Sequence, residues 1–139
     1  MTGWASLDTK DDPLTPPKVG QLPWEDFQTM VWDQYQDRID VQLVIERFVL
    51  NTGSMKKSRD GIHHAIQTIG VLEFIRRTRG WPTATYQLPA DVMRIVDNKV
   101  LRSLGWFARG LEHGNDALRH ATVWSLKQGR LTRKDLHPT

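Results

Sequence analysis

The sequence predicts an α/β domain built on a mixed sheet flanked by helices, and three observations predict it. Residues 42–50, QLVIERFVL, are apolar on both alternating faces, the pattern of a buried central strand. Ile62, Ile66, Ile69, Leu72 and Ile75 recur at helical spacing. In the second half strand and helix patterns alternate, which implies parallel pairing, whereas the front of the chain reads as a hairpin.

The elements follow in order. Residues 2–7 form a short strand. Residues 8–17, DTKDDPLTPP, are turn material with three Asp, three Pro and no periodicity. Residues 18–22 return as the second strand. Pro23, Trp24, Glu25 and Asp26 open a helix, with proline in the first turn and acids against the dipole. It runs to about Asp37 with Phe27, Met30, Val31 and Gln34 facing inward. After the 42–50 strand comes a polar, basic loop, NTGSMKKSR, and then a helix over residues 60–79 that Gly80 ends. Residues 83–87 give a short strand after Pro82, Pro89 opens a short helix through Val96, and residues 99–104 give a further turn of helix. Residues 110–115 read as a loop. A final helix spans residues 116–128 and Gly129 closes it, leaving residues 130–139 as a polar, flexible tail.

At 139 residues the chain fits a single domain with a real core. Six Trp and 39% apolar residues exclude global disorder. Without cysteine, neither disulfides nor thiolate metal sites hold the fold. No apolar run approaches the roughly 18 residues of a membrane span, and no signal-peptide pattern is read at the N-terminus. A cytoplasmic location and no membrane partner are therefore expected. The net charge of +3 permits a polyanionic partner without requiring one.

Two acidic stretches carry the candidate chemistry. Glu46 lies in an apolar strand, near the end where open α/β sheets form ligand sites. Desolvating its carboxylate costs several kcal/mol unless a cation compensates. Arg47 points to the opposite face, so the candidates are another Arg, water at the strand end, or a metal ion. In LEHGNDALRH, residues 111–120, His113 and Asp116 share a helical face, and His120 lies four residues further along it. Asn115 or Asp116 would equally serve as a helix cap. Carboxylates on separate elements suit Mg²⁺, and an added histidine suits Mn²⁺.

Taken in order, LVIERFVL, the long helix, a strand near the Pro-Ala-Asp turn and EHGNDALRHA resemble the RuvC-like Holliday-junction resolvases, especially the short bacteriophage type. The resemblance covers nearly the whole chain. It implies an RNase H-like fold and a hydrolase, a divalent-metal-dependent endodeoxyribonuclease that cleaves branched DNA with two Mg²⁺ or Mn²⁺ ions. Glu46 matches the glutamate of the family's fourth strand, Asp116 its last aspartate, and His113 a position held by aspartate or histidine. These three are the catalytic and metal-binding candidates. The family's first strand, ending acid-Pro-Gly, is missing ahead of Met1-Thr2-Gly3-Trp4, and with it one aspartate. Either Met1 is internal to a longer protein or the chain is a truncated form. Because that strand is central, the chain is expected to be marginally stable or to fold with a gap in its sheet.

The resemblance further implies a homodimer acting on four-way junctions in DNA recombination, in the host cytoplasm if phage-encoded. Lys56, Lys57, Arg59, Arg102 and Arg109 are the candidate phosphate contacts. Lys56, Lys57 and Arg59 equally read as a solvated basic loop, and Arg76, Arg77 and Arg79 as cations complementing a helix dipole. The competing functions are a nuclease acting on flaps or forks, and a catalytically inactive DNA-binding module of the same fold.

Overall fold

The computed structural model of the chain describes residues 1–8, 10, 12–47 and 59–137. It is a mixed α/β structure with small sheets. In chain order the elements are β1 (Thr2–Ser6), β2 (Lys18–Leu22), α1 (Trp24–Gln34), β3 (Val44–Glu46), α2 (Arg59–Arg79), β4 (Thr85–Gln87), α3 (Pro89–Ile95), α4 (Asn98–Leu104), α5 (Glu112–Lys127) and α6 (Arg133–Leu136).

Among the described residues the strands form two separate pairs. β1 and β2 are an antiparallel hairpin in which Thr2 faces Leu22 and Ser6 faces Lys18. β3 and β4 are parallel, with Glu46 opposite Gln87. Among the described residues β3 has one strand partner, Ile45 is its buried residue and Glu46 is exposed, so residues 44–46 do not form the fully buried central strand expected over residues 42–50. Residues 48–50 lie outside the described residues.

Two apolar clusters hold the elements. One joins Phe27 and Val31 of α1, Ile45 of β3, Leu72 and Ile75 of α2, and Trp81 and Ala84. The other joins Val92, Val96, Val100, Leu101, Trp106, Leu118 and Val123 to Leu131 and Leu136. Burying each Leu or Val fully contributes about 1.5–3 kcal/mol. The apolar stripe of α2 divides. Leu72 and Ile75 enter the core, whereas Ile66 is 53% exposed. Gln34, expected to face inward, is exposed. His64 stacks on Trp24, with ring centroids 4.6 Å apart, while His63 is exposed.

α5 packs chiefly on β1 and also touches β2, β3 and α3. Glycine permits this approach. A Cβ at Gly3 would lie 2.0 Å from the backbone C and O of His113, and one at Gly114 would lie 2.7 Å from Val19 Cγ1. No side chain larger than hydrogen fits at Gly3 unless backbone moves.

The expected flexible tail over residues 130–139 needs correcting as far as residue 137. Thr132 caps α6 and forms a capping box with Asp135. Leu131 before the cap and Leu136 at the fourth helical position are both 1% exposed, as in a hydrophobic staple. The polar composition of the segment conceals these two anchors.

Candidate active site at the end of β3

Glu46 closes β3, and its side chain is 53% exposed. The protein that backs its other side disfavours the charged form and raises its pKa. The negative charge of Asp116 raises it further, and His113 acts in the opposite sense. Asp116 and His113 thus both fall within electrostatic reach of Glu46, across one strand end and one helix start.

That helix starts earlier than its sequence suggests. α5 begins at Glu112, and its N-terminal flank, Leu111, supplies no side-chain cap. The cap comes from β2. Gln21 Oε1 accepts hydrogen bonds from the backbone N–H of His113 at 2.8 Å and of Gly114 at 3.3 Å. Neither Asn115 nor Asp116 caps the helix. Asn115 is buried and holds the preceding loop, accepting from Ala108 N–H and donating to Ala108 C=O, both at 2.9 Å. Asp116 accepts an i,i+3 hydrogen bond from Arg119, which is 6% exposed and also donates to Asn98 Oδ1. Arg119 therefore fixes the orientation of the Asp116 carboxylate.

His120 and Gln87 complete the cluster. His120 is 4% exposed; its Nδ1 lies 3.0 Å from Gln87 Oε1 and its Nε2 lies 3.9 Å from Glu46 Oε2. Burial lowers the pKa of His120, Asp116 opposes this, and Arg119 reinforces it. Burial favours the neutral imidazole, whose Nδ1 is within hydrogen-bond distance of Gln87 Oε1. Among the described residues the buried Gln87 Nε2 has no hydrogen-bond partner. The i,i+4 spacing from Asp116 to His120 is visible in the sequence. No sequence signal marks Gln87, which reaches the site through the β3–β4 register.

The fit of divalent ions is mixed. Two carboxylates and an imidazole on separate elements are suitable donors for Mg²⁺ or Mn²⁺. Among the described residues, however, no three His, Asp or Glu side chains form a group able to hold an ion. The donor types suit such an ion, but as placed the three side chains fall short of a three-donor site for even one ion.

The expected DNA contacts are only partly described. Lys56 and Lys57 lie outside the described residues, and Arg59 begins α2. Arg102 is exposed, with its guanidinium 4.4 Å from the Phe107 ring centroid. Arg109 is exposed in the loop ahead of α5. Arg79 stacks over Trp32 at 4.2 Å, so its surroundings include more than the helix dipole. Among the described residues no helix is long and apolar enough to cross a membrane. No protein-family model, curated protein or solved structure matches the chain.

Proposed function

We propose that the chain is a nuclease domain of the RuvC-like, RNase H-like class, a structure-selective endonuclease that cleaves Holliday junctions or other branched DNA with divalent metal. The observation that carries this reading is the convergence of Glu46 and Asp116. Burial and, after it, the Asp116 charge raise the Glu46 pKa, and a divalent cation would offset both.

In this reading Glu46 and Asp116 supply oxygen donors and His113 a nitrogen donor. Drawn together, these side chains would hold a Mg²⁺ or Mn²⁺, which would supply a water of lowered pKa and offset charge on the phosphate. Arg119 holds the Asp116 carboxylate in place, and His120 and Gln87 occupy the inner side of Glu46. Lys56, Lys57, Arg59, Arg102 and Arg109 neutralise phosphates, and a homodimer accounts for paired cuts in a symmetric junction. A second reading, an inactive module that binds branched DNA, is favoured by the lack of three grouped donors among the described residues.

Synthetic four-way junctions with Mg²⁺ or Mn²⁺ test both. Cleavage that Glu46→Gln and Asp116→Asn each abolish, with junction binding retained, supports the nuclease. Lys56→Ala with Lys57→Ala should lower the salt slope of binding by about 2. Cleavage that persists in Glu46→Gln removes Glu46 from the chemistry. Binding without cleavage at any ion concentration leaves the inactive module.

A further inference from the structure

Next to the acidic site is a cavity that the proposed chemistry does not use. It measures about 300 Å³ and is lined by residues including Arg47, Gln87, Asp91, Trp124, Lys127 and Gln128. Residues from β4, the chain just after β3, α3 and α5 therefore converge on it. That volume is at the lower end for small-ligand sites.

Its chemistry is specific. Arg47 and Lys127 are exposed cations, and among the described residues neither is ion-paired. The carboxylate in the lining, Asp91, is already paired with Arg94. Trp124 is half-buried, with the Arg130 guanidinium 5.0 Å from its ring centroid. Gln87, 6% exposed, also lines it. Two cations and an indole together match an anion joined to a flat ring.

We propose that this cavity binds one unpaired nucleotide unit, its phosphate between Arg47 and Lys127 and its base against Trp124. The inference rests on the DNA-directed reading of the chain and deepens it. Glu46 is opposite Gln87 in the β-register and directly precedes Arg47, so the cavity adjoins the candidate active site. A nucleotide held there belongs to a strand displaced or unpaired beside the cut, and base–indole stacking tolerates any base.

The test uses the full chain with three probes: a fluorescein-labelled six-nucleotide single strand, free deoxythymidine monophosphate, and an intact four-way junction. Single-strand binding should weaken at least about fivefold in Trp124→Leu and in the double variant Arg47→Ala with Lys127→Ala. The exposed pair keeps the test valid if loss of the indole unfolds the chain, which circular dichroism reports. Single-strand loss in a chain that cuts no junction upholds the cavity and overturns the nuclease reading. Binding of the free nucleotide but not the strand, with the same sensitivity, assigns the cavity to a free nucleotide. Failure of both ligands to bind, or binding insensitive to all these variants, overturns the proposal.

Discussion

Replacing Gln21 by Met tests how the strand hairpin fixes the helix that carries His113 and Asp116. Met keeps the length of the side chain and removes the acceptor. In the native chain one oxygen serves two of the N–H groups that open α5, at 2.8 Å from His113 and 3.3 Å from Gly114. His113 is exposed, so water replaces much of its lost bond. Gly114 is buried beneath Val19 and has no such recourse. The combined cost is about 1–2 kcal/mol, the range of a lost cap plus one weakened buried donor. With an unfolding entropy of about 2.1 cal/mol/K per residue, this corresponds to a Tm drop of about 3–7 °C for a chain of this length. Gln21→Glu should match or exceed the wild type, because a carboxylate at a helix N-terminus gains about 0.3–1 kcal/mol. Thermal unfolding followed by circular dichroism measures both. A Tm for Gln21→Met within about 1 °C of wild type, together with a loss in Gln21→Glu, would refute the capping role.

Two further predictions concern packing and charge. Gly3→Ala should destabilise the chain by about 1–3 kcal/mol in urea unfolding, because its Cβ would meet the His113 backbone; an unchanged midpoint would mean that α5 does not rest on β1 as described. Glu46→Gln should stabilise the chain slightly at pH 7, by at most about 0.5 kcal/mol because the carboxyl is half-exposed. The sign follows from its raised folded pKa. The ionised form burdens the fold only above the ordinary carboxyl range, so the gain should vanish as the pH falls below about 4. A gain that persists or grows at acid pH would contradict the cause.

Much of the fold was legible because local chemistry and tertiary context agree. The hairpin strands were expected at residues 2–7 and 18–22 and occur at Thr2–Ser6 and Lys18–Leu22, separated by a proline-rich turn. Short-range reasoning failed where a partner comes from a distant part of the chain. Asn115 and Asp116 resemble caps in the sequence and point to a later start for α5, whereas the cap is supplied by Gln21 on β2. The α6 segment looked like a polar tail although Thr132 and Asp135 have capping-box spacing; its burial depends on a core built from α3, α4 and α5. The apolar run of residues 42–50 predicts a longer strand buried on both faces, and it does not signal that, among the described residues, β3 pairs with β4 alone. Among the site residues, Glu46, His113 and Asp116 could be named from sequence. His120 was visible as a spacing without a role, and Gln87 required the β3–β4 register.

The central claim is that Glu46 and Asp116 share one electrostatic site. The most direct measurement is the pH titration of the ¹³C-labelled Glu46 carboxyl by NMR, in the wild type and in Asp116→Asn. The account predicts a Glu46 pKa above the ordinary glutamate range that falls toward it when the Asp116 charge is removed. A Glu46 titration that is the same in both proteins would contradict it.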